Sequence, residues 1–97
     1  MDVVLENEHQ QPIKKSAVNF VDVLLYMEER DKDKSLKTLW TIDPYGYTVF
    51  NQYQTTALIA ELEILAGKAP EIRDKLTQVI NLAKEVTAHR YLRFIGD

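Results

Sequence analysis

Cysteine is absent from this chain. Its absence removes disulfides, thiolate metal sites and a thiol nucleophile. Glycine and proline number three each, and the glycines stand alone, so no glycine-rich loop can cradle a phosphate. Histidine is confined to His9 and His89, and neither has a partner at metal-ligand spacing. No apolar run nears the ~18 residues a membrane span needs. The start, MDVVLENEHQ, has no basic stretch ahead of a long apolar one, so no signal peptide is expected. Charge of one sign is lacking too: 12 basic residues against 15 acidic leave a net charge of −3, with the signs interspersed. That balance argues against a nucleic-acid binder that works by neutralising phosphates. These absences leave a soluble cytoplasmic protein as the expectation, with no membrane partner and no cofactor.

The hydrophobic fraction of 45% and charged fraction of 28% over 97 residues are those of one ordinary globular domain, residues 1–97. Asp2–Asn7, centred on Val3, Val4 and Leu5, reads as a first strand. Ser16–Arg30 reads as a helix capped by Ser16. Asn19, Asp22, Tyr26, Glu29 and Arg30 fall on its polar face, and Val18, Val21, Leu24 and Leu25 on the opposite one. Arg30–Ser35 is a charged loop, and Asp31 and Asp33 lack the other ligands of a calcium loop.

Leu36–Ile42 alternates, which predicts a strand, and Tyr47–Asn51 predicts another. Asp43-Pro44-Tyr45-Gly46 between them carries the residues of a tight turn, with Gly46 expected at positive φ, so the two runs read as a hairpin. Gln52–Ala66 has leucines at helical spacing, with Asn51 and Gln54 as a capping-box pair and Gly67 as the expected left-handed residue after it. Pro70 opens a third helix with an apolar stripe of Ile72, Leu76, Val79, Ile80, Ala83 and Val86 or Thr87. His89, just past that helix, is expected to complement its dipole, and the last residues, His89–Asp97, alternate as a final strand. The expected class is α+β: a small, mostly antiparallel sheet in the order β-α-β-β-α-α-β, covered by three helices.

Chemistry is hard to assemble from these residues. Ser16 and Ser35 lack a nucleophile elbow. The pairs Glu28–Glu29 and Glu61–Glu63 diverge on their helices. A small acid–base enzyme would have to bring Asp43, His89 and Asp97 together, and it ranks last among the readings.

The aromatic segment Trp40–Tyr53 is more informative. Trp40 and Phe50 are expected in the core. Tyr45 and Tyr47 are expected at the surface beside Asp43, as amphipathic anchors of a protein interface. Arg90 and Arg93 near the C-terminal strand offer a positive patch. Residues 40–60 contain no basic residue, which argues against a single-stranded nucleic-acid platform.

The segment WTIDPYGYTVFN and the closing YLRFIGD resemble a group of small uncharacterised bacterial proteins that share an aromatic-x-Ile-Asp-Pro-Tyr-Gly-x-Thr-Val-Phe-Asn segment and a C-terminal Tyr-Leu-x-Phe-x-Gly-Asp. The resemblance covers roughly residues 39–97. The group often carries an acidic residue where this chain has Tyr47. The resemblance implies a bacterial origin and a compact domain, and no particular activity.

The first functional expectation is therefore a non-enzymatic protein-interaction domain, with Asp43, Tyr45, Tyr47, Asn51, Arg90 and Arg93 as its binding residues. A compact acidic domain of this size can also serve as an immunity protein that neutralises a basic toxin domain. The alternative of a different class is a homodimer paired through a strand edge or aromatic rim.

Overall fold

The computed structural model describes residues 1–96. β1 (Asp2–Asn7), β2 (Pro12–Lys15), β3 (Tyr47–Phe50) and β4 (Arg90–Ile95) form one sheet in the order β2-β1-β4-β3, with every neighbouring pair antiparallel. The helices are α1 (Val21–Arg30), α2 (Gln52–Lys68) and α3 (Arg73–Ala83), with single 3₁₀ turns at Leu39–Thr41 and Pro70–Ile72. The class is the expected one, α+β with a four-stranded antiparallel sheet and three helices. The order along the chain differs, β-β-α-β-α-α-β, because one strand lies elsewhere than predicted.

That strand is β2. Its sequence, PIKK, is exposed throughout and carries no apolar alternation to announce it. It forms because the chain reverses at Asn7–Gln11, where the Asn7 side chain accepts the N–H groups of His9 and Gln11 at 2.9 and 3.0 Å. Gln10 takes the left-handed conformation there (φ 61°). The pairing of β2 with β1 extends to Ser16, whose N–H donates to Val3 O at 2.9 Å. Ser16 is thus bound to the sheet edge and does not cap a helix.

α1 accordingly starts five residues later than predicted. Phe20 is held by its N–H to Met1 O at 3.0 Å. The buried face of α1 is Val23 and Met27, continued by Phe20, while Leu25 is 55% exposed. The sequence VDVLLYM is apolar on most of its circumference, so periodicity set the helix without setting its phase.

Leu36–Ile42 is the second correction: it is not a strand, and no hairpin joins it to β3. Asp31 and Glu61 take up the backbone donors that a strand would need. Asp31 accepts the N–H groups of Ser35 and Leu36 at 3.1 and 3.0 Å, the Ser35 hydroxyl at 2.7 Å and the Trp40 indole N–H at 2.8 Å. Glu61, from α2, accepts the N–H groups of Thr38 and Leu39, both at 3.0 Å. The segment coils between these two carboxylates. Leu36, Leu39 and Ile42 enter the core, and Trp40 packs half-buried against it.

The Ser35 hydroxyl, followed by the Leu36, Trp40 and Ser35 N–H groups, holds the Asp31 carboxyl well below the usual carboxylate range against an opposing effect of burial. A depressed acid stabilises the fold fully above its unfolded pKa, near ~4, and loses that contribution as the pH falls through the folded value. Asp31→Asn is therefore expected to be less stable than the wild type at neutral pH, with the gap closing on acidification below about pH 4. Urea midpoints of both proteins across that range check this; a gap constant with pH would refute it.

The remaining elements follow the sequence closely. Asn51 caps α2 in a capping box, its Oδ1 accepting the Gln54 N–H at 2.9 Å and Gln54 Oε1 accepting the Asn51 N–H at 3.0 Å. Gly67 lies inside α2, and no glycine among the described residues has positive φ. The stripe on α3 is buried as predicted, from Ile72 through Leu76, Val79, Ile80 and Ala83 to Val86. In β4, Leu92 and Phe94 are fully buried, and Phe94 meets Phe20 and Phe50 edge-on at 4.8 and 5.6 Å. No described helix is long and apolar enough to cross a membrane.

Candidate functional surface

Side chains alternate across a sheet, so its two faces can be read from the register. Val3, Leu5, Phe50, Leu92 and Phe94 point to the face that joins the helical core. Val4, Glu6, Tyr47, Val49, Tyr91, Arg93 and Ile95 share the other face, with β4 between β1 and β3.

At the centre of this outer face Arg93 spans three strands. Its Nε donates to Glu6 Oε1 on β1 at 2.9 Å, and its guanidinium carbon lies 5.3 Å from the centroid of the Tyr47 ring on β3. The Arg93 and Glu6 side chains keep only 16% and 9% of their exposure, whereas Tyr47 remains 70% exposed and Val49 40%. The ion pair fixes the arginine, and the arginine orients the tyrosine.

The predicted binding residues divide between three places. Tyr47 and Arg93 meet in the row just described. Asp43 and Tyr45 belong to the turn before β3. Asp43 Oδ1 accepts the Tyr45 N–H at 2.8 Å, and its own N–H donates to Thr48 Oγ1 at 2.9 Å. Asp43 is thus engaged in holding the turn, while Tyr45 stands 84% exposed on the rim of a groove of about 370 Å³ between α1 and Trp40. Asn51 and Arg90 lie at the far end of the sheet, around a shallow depression shared with Tyr53 and His89, where Asn51 serves as the α2 cap.

Gly46 and Gly96 explain how the turn is anchored. Gly96 N–H donates to Gly46 O at 2.7 Å, and a Cβ on Gly96 would lie 2.6 Å from Pro44 O and 2.7 Å from Gly46 N and O. Glycine is required there for close backbone approach, at ordinary φ. The turn motif and the C-terminal Gly are one structural unit.

The acid–base constellation is not assembled. Asp43 sits at the Gly96 end of β4, and His89, at φ 68°, precedes its other end, a separation of roughly 20 Å along an extended strand. His89 Nδ1 is 3.0 Å from Glu8 Oε2 in the turn leading into β4, six residues beyond the end of α3 and not at its terminus. Asp97 lies outside the described residues.

No family model matches this chain, and neither a curated protein nor a solved structure does. The surface therefore has to be read from its own chemistry.

Glu6, Val49 and Tyr91 were not picked out by sequence reasoning. Period-two alternation places Glu6 with Val4 on one face of β1, but nothing in the sequence pairs it with a residue 87 positions away.

Proposed function

We propose that this chain is a non-enzymatic protein-interaction domain whose contact surface is the outer sheet face around Tyr47 and Arg93. The observation that carries the reading is the Tyr47–Arg93–Glu6 row on a face without helices. Tyrosine and arginine supply much of the binding energy at protein interfaces. Here the arginine is oriented in advance by an ion pair, which reduces the ordering cost of association. Val49, Tyr91 and Ile95 supply apolar area around the row.

An immunity-type, toxin-neutralising role is the sharpest version of this reading, acting in the cytoplasm. It draws support from the net charge of −3, which would speed encounter with a basic partner.

The test compares proteins captured from the source cell by the wild type, by Tyr47→Ala/Tyr91→Ala and by Lys14→Ala on the far edge. The expected result is at least one protein lost with the tyrosine variant and kept with the lysine variant. Equal capture by all three would reject the outer face as the contact surface. Arg93→Ala is unsuitable as the diagnostic variant: it leaves the Glu6 carboxylate buried without its partner, at a cost in stability of about 1.5–3 kcal/mol.

A further inference from the structure

The sheet has two edges, and they differ in kind. β2 carries Pro12, Lys14 and Lys15 in four residues, and charge and proline of this sort guard an edge against pairing. β3, with the sequence YTVF, has neither.

The charge minimum extends well beyond the strand. From Thr38 to Ala60 the only charged residue is Asp43, in a chain where 28% of residues are charged. Three exposed tyrosines, Tyr45, Tyr47 and Tyr53, fall in the same stretch.

The ladder determines which backbone groups face out. Gly96 N–H donates to Gly46 O, and antiparallel ladder bonds recur at every second residue. Thr48 and Phe50, opposite Phe94 and Leu92, therefore bond inward to β4. The N–H and C=O groups of Tyr47 and Val49 face away from the sheet. Two residues with outward donors and acceptors, flanking Thr48, form a self-complementary set. A two-fold axis through Thr48 sets Tyr47 of each copy opposite Val49 of the other and closes four backbone hydrogen bonds.

We propose that β3 pairs antiparallel with β3 of a second copy of this chain, in the register that places Tyr47 against Val49, giving a continuous eight-stranded sheet. This goes beyond the outer face as a contact surface, and the dimer would double that face. A second copy fits better than a charged partner because the edge offers no charge to attract one. No residue of β3 is charged, so copies meet no like charge within the paired strands. The aromatic and β-branched side chains brought opposite each other form a favourable cross-strand pair. Four residues per strand make a small interface, so the dimer dissociates on dilution.

The test is sedimentation velocity of the full chain from low micromolar to millimolar concentration, with amide hydrogen exchange followed in the same samples. The expected result is a shift from 11.3 kDa toward twice that mass, with protection of the Tyr47 and Val49 amides rising in step. Val49→Lys should raise the dissociation constant by about tenfold or more by placing a charge in the seam. Val49→Pro removes only an outward donor, which an edge strand tolerates, and should have the same effect while the circular dichroism spectrum stays unchanged. Ile13→Lys on β2 should leave association intact. A monomer throughout the range, or a dimer that Val49→Lys leaves intact, would overturn the inference. The proteins captured by the outer face are read with Tyr91→Ala alone, which leaves the β3 edge unaltered. A wild type that stays monomeric, yet captures proteins that Tyr91→Ala loses, would therefore reject this inference and leave the outer-face reading standing.

Discussion

Phe94→Ala is expected to cost about 3–5 kcal/mol of folding stability, a large share of the ~5–15 kcal/mol a domain of this size possesses. Phe94 is fully buried on β4, the strand bonded on one side to β1 and on the other to β3. Its ring is shared by Phe20, from the segment before α1, and by Phe50, at the end of β3. Truncation removes a whole aromatic side chain from a site where three separate chain segments meet. Collapse around the cavity would require all three to shift, so little of the loss can be recovered. Phe94→Leu keeps most of the volume and should lose much less. Urea denaturation of the two variants beside the wild type gives the comparison; equal losses would mean that ring contacts contribute little.

Glu61→Ala should be the most damaging substitution outside the hydrophobic core, at about 2–4 kcal/mol for two backbone N–H groups deprived of a charged acceptor. The Glu61 carboxylate receives one donor on each oxygen, from Thr38 and Leu39, and Leu39 is fully buried. Water can replace the carboxylate only by entering beside a buried leucine, which is costly. Glu61→Gln keeps one acceptor oxygen and should lose about half as much. Faster amide exchange confined to residues 38–42 would locate the damage in the Leu39–Thr41 turn. Unchanged exchange there, with stability intact, would show that the carboxylate is dispensable.

These two substitutions mark the boundary between what was legible in the sequence and what was not. The strand that carries Phe94 was legible from alternation in YLRFI, and the structure buries Phe94 with Leu92 on one of its faces. The Asn51–Gln54 capping box and the α3 stripe were equally readable, because cap, period and partner all lie within a few residues. At Leu36–Ile42 the same alternation rule predicted a strand and failed. The competing interaction there comes from Glu61, more than twenty positions along the chain, and local pattern does not register a distant acceptor. β2 failed in the opposite sense: nothing in PIKK looks like a strand, and pairing with β1 alone makes it one.

The candidate surface divides in the same way. Tyr45 and Tyr47 were expected to be exposed, and they are. The hairpin that was to present them does not exist, since β3 pairs with β4, over 40 residues later in the chain.

By itself the sequence determined the α+β class, the α2 cap, the buried face of α3, the final strand, and the position of the charge-poor aromatic segment. Each depends on residue type at short spacing, where backbone geometry and side-chain period act without help from the rest of the chain. Only the tertiary structure decided that Arg93 would lie between Tyr47 and Glu6, that Gly96 would close onto Gly46, and that β3 would end up at an edge. Those outcomes depend on which strands become neighbours, and strand order is settled by burial of the whole apolar set at once.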